Sequence, residues 1–171
     1  MGVGYNSLPV AGVKEWQGSP TAAGYRFAIV VSRFNPEITD GLLAGAREAL
    51  TDAGVRDDDV TIVRVPGAFE LPVAAQRLAE SGRFDAVICL GCLIKGDTMH
   101  FEYIADAATR GIAEVGLATG VPIAFGVLTT LTDEQAAVRA RPDAGNKGRE
   151  AAVAAVEMAT LLRAIDGGPA A

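Results

Sequence analysis

The sequence FDAVICLGCLIKGDTMHFEYIADAA, residues 84–108, is the most informative stretch of the chain about its fold. It begins with a nearly unbroken apolar run, turns at KGDT (95–98), and continues with a helical pattern over residues 99 to about 118. Apolar runs that do not alternate with polar residues are typical of parallel strands covered by helices on both faces. This stretch therefore predicts a buried strand that leads directly into a helix.

Three more strands are predicted, and each is followed by a helical pattern. Their sequences are YRFAIVVS (25–32), DVTIVRV (59–65) and VPIAFGVL (121–128). The further helices are expected over residues 35–54, over residues 69–81, from TDEQ (132–135) onward and over residues 146–165. Strand–helix units joined by short connections form parallel sheets with right-handed crossovers. The predicted fold class is α/β, a flavodoxin-like three-layer sandwich around a four-stranded parallel sheet.

Polar side chains are expected to cap three of these helices. Asn35 stands at the start of the first helix, and Asp97 or Thr98 at the start of the third. Thr132 and Gln135 have the spacing of a capping box at the fourth.

The chain has 171 residues, the size of one domain. Residues 25–165 are predicted to form a single α/β domain and residues 166–171 a flexible tail. Residues 1–24 contain five glycines and two prolines and are predicted to form an extended N-terminal arm. The arm is either pinned onto a neighbouring subunit or is a disordered leader. The side chains that would pin it are Tyr5, Leu8 and Trp16.

The composition argues against several classes of protein. A formal net charge of −6 disfavours a broad basic face for nucleic acid. The longest uncharged apolar run, residues 86–94, is far shorter than the ~20 residues of a membrane-spanning helix. The N-terminus lacks the basic and apolar segments of a secretory signal, so a cytoplasmic location is expected.

Cys89 and Cys92 form a C-x-x-C sequence, which in other contexts indicates a redox pair or half of a zinc site. In an extended strand, residues three apart point to opposite faces and their Cα atoms lie about 10 Å apart, beyond the reach of a disulfide. Zinc would need more ligands than these thiols and one histidine supply nearby. Both cysteines are therefore predicted to be small apolar strand residues.

Parallel sheets bind ligands beyond the carboxyl ends of their strands, so candidate functional residues are sought there. The backbone amides that begin the third helix would converge on a phosphate, and Lys95 would add a positive charge. A capped helix start beside a lysine is also a common structural feature. His100, the only histidine, is expected to face the same opening, where an imidazole can act as a general acid or base.

Phe34 and Phe69 directly follow strand ends, where a flat heteroaromatic ligand would cover their rings; core packing is the alternative. Glu70 is either a favourable acid in a first helical turn or a ligand for hydroxyl groups. Arg139 and Lys147 lie at the ends of a glycine-containing connection and offer a second contact for an anion, unless this is a solvated loop. The alternative is that this loop contributes its anion contact to the site of a neighbouring subunit.

The sequences SRFN, VPGAFELP, GCLIKGDTMHFEYI, FGVLTTLTDEQA and AGNKG, in this order and at these intervals, resemble the lumazine synthase (6,7-dimethyl-8-ribityllumazine synthase) family over residues 26–165. The resemblance implies that 5-amino-6-(D-ribitylamino)uracil condenses with 3,4-dihydroxy-2-butanone 4-phosphate in riboflavin biosynthesis, with release of phosphate and water. It implies no cofactor and no metal. It also implies pentamers, which in some members close into sixty-subunit shells. Riboflavin synthase is a further candidate partner.

The resemblance further implies two groups of substrate-binding residues and one catalytic residue. The group that holds the pyrimidine and its ribityl chain consists of Phe34, Ala68, Phe69, Glu70, Cys92, Leu93, Ile94 and Phe125. The group that binds the phosphate of the butanone consists of the backbone amides of Asp97 and Thr98 and, from the adjacent subunit, Arg139 with Lys147. His100 is the residue that would move protons.

Two positions depart from the family pattern. Lys95 stands where many relatives have arginine, which keeps the charge but loses the planar fork. Asp97 places an acid beside the phosphate contact, so its side chain must turn away or cap the helix. The connection between Arg139 and Lys147 lacks the insertion found in members that stay pentameric, which favours a sixty-subunit shell.

Two rival functions remain at the level of sequence. One is a container or binding protein that keeps the pocket and the shell without turnover; the presence of His100, Arg139 and Lys147 argues against it. The other is a generic phosphosugar enzyme on a flavodoxin-like sheet, which would not require Phe34 and Phe125.

Overall fold

The structure is a computed structural model and describes residues 13–167. Its four strands are β1 (Phe27–Ser32), β2 (Val60–Val65), β3 (Ala86–Ile94) and β4 (Ile123–Thr130). Its α-helices are α1 (Pro36–Asp52), α2 (Leu71–Glu80), α3 (His100–Thr119), α4 (Asp133–Arg139) and α5 (Lys147–Gly167). Short 3-10 turns lie at Asp57–Asp59 and Ala68–Glu70. The predicted strand and helix order is confirmed.

All four strands are parallel, and their order in the sheet is β2-β1-β3-β4. Ile29 and Ile88 pack in a core with α1 and α5 on one face of the sheet. Val30 and Cys89 pack in a second core with α2 and α3 on the other face. Because helices cover both faces, the central strands β1 and β3 are buried almost throughout and do not alternate, whereas the edge strands β2 and β4 are partly exposed. The three-layer, flavodoxin-like sandwich is confirmed.

Both cysteines are buried and free. Cys89 belongs to the core facing α2 and α3, and Cys92 to the core on the opposite face. Burial raises the pKa of the Cys89 thiol to about 12 and that of Cys92 to about 11, so both stay protonated at neutral pH. The prediction that they are structural strand residues is confirmed.

Two elements run further than the sequence pattern predicts. β4 continues to Thr130, two residues past its expected end, because its pairing with β3 persists through Ile94 and Thr130. α5 includes Gly167 and so extends past the expected end at residue 165. The remainder of the predicted tail, residues 168–171, lies outside the described residues.

The predicted caps fare differently from one helix to the next. At α4, the Thr132 hydroxyl accepts a hydrogen bond from the Gln135 amide (3.2 Å), as predicted. The Gln135 side chain accepts from the Leu131 amide (2.9 Å), one residue earlier than in a standard capping box. At α1, Asn35 occupies the cap position with a left-handed backbone (φ 56°), but its side chain caps nothing in the helix. The Nδ2 atom of the Asn35 side chain donates instead to the Cys92 carbonyl (3.2 Å), which ties the start of α1 to the end of β3.

The prediction that Asp97 or Thr98 caps α3 is wrong. Met99 occupies the cap position, and no side chain makes a capping hydrogen bond to this helix. The Thr98 hydroxyl lies 3.5 Å from the His100 amide, at the outer limit of a hydrogen bond. The helix begins later than its polar residues suggest, so His100 is its first residue. The start of α3 thus has no side-chain cap.

The described part of the N-terminal arm lies on its own chain. The Ser19 amide donates to the Thr160 hydroxyl of α5 (2.8 Å), and the Ala22 amide to the Ala53 carbonyl just after α1 (2.8 Å). Ala22 is buried, whereas Trp16 is partly exposed. Tyr5 and Leu8, the other residues expected to pin the arm onto a neighbour, lie outside the described residues.

Over residues 13–167, no helix is both long and apolar enough to cross a membrane. The same stretch of chain holds no group of three or more His, Cys, Asp or Glu side chains placed to share a metal ion.

Candidate active site

A cavity of about 510 Å³ opens beyond the carboxyl ends of β1, β2 and β3. We call it the sheet-end cavity. Each neighbouring strand contributes the residues that follow it, as expected for ligand sites in parallel sheets. Nine residues implied by the family resemblance line it: Phe34, Ala68, Phe69, Glu70, Cys92, Leu93, Ile94, Thr98 and His100.

Two aromatic rings dominate the rim of the sheet-end cavity. Phe34 is 69% exposed and Phe69 is 58% exposed, unusually open positions for phenyl rings that line one cavity. Exposed rings of this size are costly in water unless a ligand covers them. Neither ring packs in the core, so the core-packing alternative is wrong for both.

Glu70 helps to hold this rim in place. Its Oε2 atom accepts a hydrogen bond from the Gly67 amide (2.9 Å), which closes the short 3-10 turn between β2 and α2. This bond is that of a first-turn acid, one of the two interpretations left open by the sequence. The carboxylate also lines the cavity, where its remaining oxygen can accept a bond from a ligand hydroxyl.

The start of α3 forms the polar end of the sheet-end cavity. Gly96, Thr98 and His100 line it, and the space beside Gly96 is open. Because α3 has 20 residues and no side-chain cap, its first amides and its dipole favour an anion here. His100 is exposed at the same end, so its imidazole can reach a ligand held by those amides.

Lys95 and Asp97 do not line the sheet-end cavity. The Lys95 ammonium forms an ion pair with Glu102 in the first turn of α3 (3.3 Å). The Asp97 side chain is exposed to solvent. The acid that departs from the family pattern therefore turns away from the cavity, one of the two outcomes expected for it.

A second cavity, of about 420 Å³, lies beside the edge strand β4. We call it the β4 cavity. It brings together the three remaining predicted residues, Phe125 of β4, Arg139 of α4 and Lys147 of α5. Phe125 is 44% exposed because β4 has no neighbour on its outer side within the described chain.

Both cations of the β4 cavity are held by groups of their own helices. The Arg139 guanidinium donates to the Gln135 carbonyl (2.9 Å). The Lys147 ammonium donates to both carboxylate oxygens of Glu150 (2.7 Å each). An exposed ion pair such as that of Lys147 and an exposed hydrogen bond to a neutral carbonyl such as that of Arg139 are both weak, so a phosphate can draw the two cations away from these partners.

Apart from Asp97, which lines neither cavity, the predicted residues therefore fall into two sets that share no lining residue. The His100 imidazole, the start of α3 and the rings of Phe34 and Phe69 line the sheet-end cavity. Phe125, Arg139 and Lys147 line the β4 cavity. A single chain presents them as separate surfaces. The two sets therefore do not form one cavity within a single copy of the chain.

The sequence analysis missed several residues of these cavities. Asn35 had been assigned only a capping role, and Phe101 and Ile104 of α3 were not considered. Their three-residue spacing on a helix that starts at His100 is a signal that would have placed them on one face. Glu150 was also missed, although it stands one helical turn beyond Lys147.

Comparison with known proteins agrees with these observations. The family model for 6,7-dimethyl-8-ribityllumazine synthase matches residues 24–163. The chain is 56% identical over 149 residues to the 6,7-dimethyl-8-ribityllumazine synthase of Syntrophus aciditrophicus (strain SB), and this alignment covers 87% of the chain and 97% of that relative. With both cavities built from the motifs that first suggested the resemblance, the chain belongs to the 6,7-dimethyl-8-ribityllumazine synthase family.

Proposed function

We propose that this chain condenses 5-amino-6-(D-ribitylamino)uracil with 3,4-dihydroxy-2-butanone 4-phosphate to give 6,7-dimethyl-8-ribityllumazine, phosphate and water, a transferase reaction of riboflavin biosynthesis. The observation that carries the proposal is the sheet-end cavity, which combines two exposed phenyl rings with an uncapped helix start and the only histidine. The reaction needs no protein nucleophile, because the attacking amine belongs to the pyrimidine substrate.

The pyrimidine lies in the sheet-end cavity in this proposal. Phe34 stacks on its ring, and Cys92, Leu93 and Ile94 line the edge of the ring at the end of β3. Ala68, Phe69 and Glu70 hold the ring and the ribityl chain. The neutral Cys92 thiol suits an apolar wall and cannot compete with the substrate amine as a nucleophile.

The phosphate of the butanone binds at the start of α3 through the backbone amides near Asp97 and Thr98. These amides stabilise the charge that develops as the phosphate leaves. His100, the first residue of that helix, accepts and returns protons during imine formation and ring closure. The rest of the rate enhancement comes from holding the two substrates together.

Phe125, Arg139 and Lys147 belong, in this proposal, to the site of the adjacent subunit. Joining the β4 cavity of one copy to the sheet-end cavity of the next is a head-to-tail contact, which closes into a ring when the rotation between copies permits. The pentamer implied by the family resemblance is such a ring. A sixty-subunit shell, a partnership with riboflavin synthase and a cytoplasmic location remain predictions of the same kind.

Mixing two impaired variants, assayed at a butanone phosphate concentration far below the KM of Arg139→Ala, tests the composite site. His100→Ala damages only the sheet-end cavity and Arg139→Ala only the β4 cavity. If the two proteins are unfolded together, reassembled in equal amounts and supplied with both substrates, about one quarter of the sites combine two intact halves. Phosphate release and product fluorescence should recover accordingly.

A site confined to one chain would recover no activity on mixing. If the chain is instead a container protein without turnover, the wild type would bind the pyrimidine but release no phosphate. Sedimentation of the wild type, in the same buffer, separates a ring of five subunits from a closed shell.

A further inference from the structure

Asn146 is a buried polar residue beside the β4 cavity. It is 1% exposed and lies directly before Lys147, at the end of the loop that joins α4 to α5. Residues 141–145 of this loop are exposed, whereas Ala140 and Asn146 at its ends are buried. The two cations of the β4 cavity flank this loop.

The Asn146 side chain uses its full hydrogen-bonding capacity. Its Oδ1 atom accepts from the amides of Gly148 (2.9 Å) and Arg149 (3.0 Å), which caps the start of α5. Its Nδ2 atom donates to the carbonyls of Gly41 in α1 (3.1 Å) and Arg141 in the loop (2.9 Å). One carboxamide thus connects α1, the loop after α4 and the start of α5.

The packing around Asn146 is built to admit this carboxamide. A Cβ atom at Gly45 would collide with the Asn146 side chain, and a Cβ atom at Gly148 would collide with the Leu42 backbone. These two glycines allow α1 and α5 to approach closely enough for Nδ2 to reach the Gly41 carbonyl. The carboxamide orientation is set by its bonds, with Oδ1 facing two amides and Nδ2 facing two carbonyls.

Capping alone does not explain an asparagine here. Serine and aspartate cap helices about as well, because capping needs only a side-chain oxygen. Only asparagine also supplies two donors on the other side of its amide group. The feature specific to this residue is the pair of Nδ2 bonds, and these restrain the loop between Arg139 and Lys147 rather than α5 itself.

We propose that Asn146 is a positioning residue, whose Nδ2 hydrogen bonds set the placement of Arg139 and Lys147 for binding the phosphate of the substrate. This inference rests on the proposed function, in which both cations face a phosphate. Arg141, whose carbonyl accepts one of the bonds, lies two residues after Arg139. The other end of the restraint is the peptide bond to Lys147 itself.

The test compares Asn146→Ser with wild type. Serine keeps a capping oxygen and removes both Nδ2 donors. The KM for the butanone phosphate is expected to rise about tenfold, equivalent to about 1.4 kcal/mol, while kcat and the KM for the pyrimidine stay within about twofold. Asn146→Asp, which keeps the shape and the cap but faces two carbonyls with an oxygen, should show the same pattern.

Thr160→Ala is the matched control. It also removes a buried hydrogen-bonding side chain from α5, one that bonds Ser19 and lines neither cavity. This variant should be destabilised to a similar extent with all KM values unchanged. KM does not depend on the fraction of folded enzyme, so a purely structural role of Asn146 would lower the melting temperature and leave KM as it is, which would overturn the proposal.

The dissociation constant of inorganic phosphate, measured by calorimetric titration, provides a second readout. This dissociation constant should rise about tenfold in both Asn146 variants and stay unchanged in Thr160→Ala. If wild type binds phosphate but catalyses no condensation, the proposed function fails while this readout still decides on Asn146. Equal phosphate binding by wild type and both Asn146 variants would contradict the positioning role.

Discussion

The sheet-end cavity and the β4 cavity offer a ligand two physically different surfaces. The first is built at the ends of buried parallel strands, so the backbone fixes its rings, amides and imidazole. The second presents long cationic side chains from two helices, and both cations rest on partners within their own helices. The first therefore supplies a preformed shape and the second a charge that has to be redirected by the ligand.

This difference divides the expected effects of substitution. Changes in the sheet-end cavity should alter the chemical step and the binding of the ring. Changes to the two cations of the β4 cavity should alter the binding of the phosphate-bearing substrate, without affecting the pyrimidine.

His100→Ala should give the largest effect. The imidazole begins α3 and is the only histidine available for proton transfer, so kcat should fall about 100-fold. Pyrimidine binding, measured by fluorescence titration, should be nearly unchanged because the rings remain. Turnover at the wild-type rate would remove the imidazole from the mechanism and with it the chemical role of this cavity.

Arg139→Ala should give the next largest effect, confined to the second substrate. Loss of a charged donor to phosphate should raise the KM for the butanone phosphate about 30-fold, equivalent to about 2 kcal/mol. Steady-state kinetics at saturating pyrimidine measure this directly. Arg139→Lys, which keeps the charge without the planar fork, should recover part of the loss, and an unchanged KM in both variants would separate the β4 cavity from phosphate binding.

Phe34→Leu should weaken pyrimidine binding about tenfold, because leucine keeps apolar area but cannot stack on a flat ring. Calorimetry with the pyrimidine alone measures the change. Leu131→Ala, at an exposed position that lines neither cavity, is a suitable control. A similar loss in the control would point to a general effect on the assembly rather than to stacking.

The smallest effect concerns the strands beneath the first cavity. Burial holds the pKa of Cys89 at about 12, whereas an unfolded thiol ionises near ~8.5. Ionisation then favours the unfolded state as pH rises above ~8.5, so the contribution of this thiol to stability is present below that pH and declines as the pH approaches 12.

Urea unfolding at pH 8 and pH 10 tests this effect. Wild type should lose about 1–2 kcal/mol more of its free energy of unfolding between the two pH values than Cys89→Ala, although the variant is less stable at both. Identical losses would show that the thiol is not protected as its burial implies.

The sequence predicted those features of the fold that depend on local pattern. Continuous apolar runs marked all four strands, and the Thr132 and Gln135 spacing marked the start of α4. The end of β4 was not predictable in the same way, because it is set by pairing with Ile94 rather than by its own residues. The short-range signal ended at Leu128, but the partner strand was longer.

At two helix starts, residue type alone did not predict the cap. Asn35, Asp97 and Thr98 are residue types that favour caps, yet none of them caps its helix. Asn35 instead bonds across the sheet to the Cys92 carbonyl, a partner 57 positions away in the chain. Residue type alone does not tell whether a polar side chain will choose a local partner or a distant one.

The candidate site was predictable as a set of residues but not as an arrangement. Motifs at strand ends identified Phe34, Phe69 and His100, which one cavity unites. They could not show that Phe125 faces a different cavity, since that depends on the position of β4 at the edge of the sheet. The order of strands along the chain does not predict which strand lies at the edge of the sheet.

The missing cap on α3 sets a limit on how this protein can be improved. Selection for heat resistance alone would favour serine at position 99, since a side-chain oxygen there would add about 1 kcal/mol of stability. The same oxygen would occupy amides that an incoming anion needs. A thermostable descendant obtained by that route is therefore expected to be a poorer enzyme.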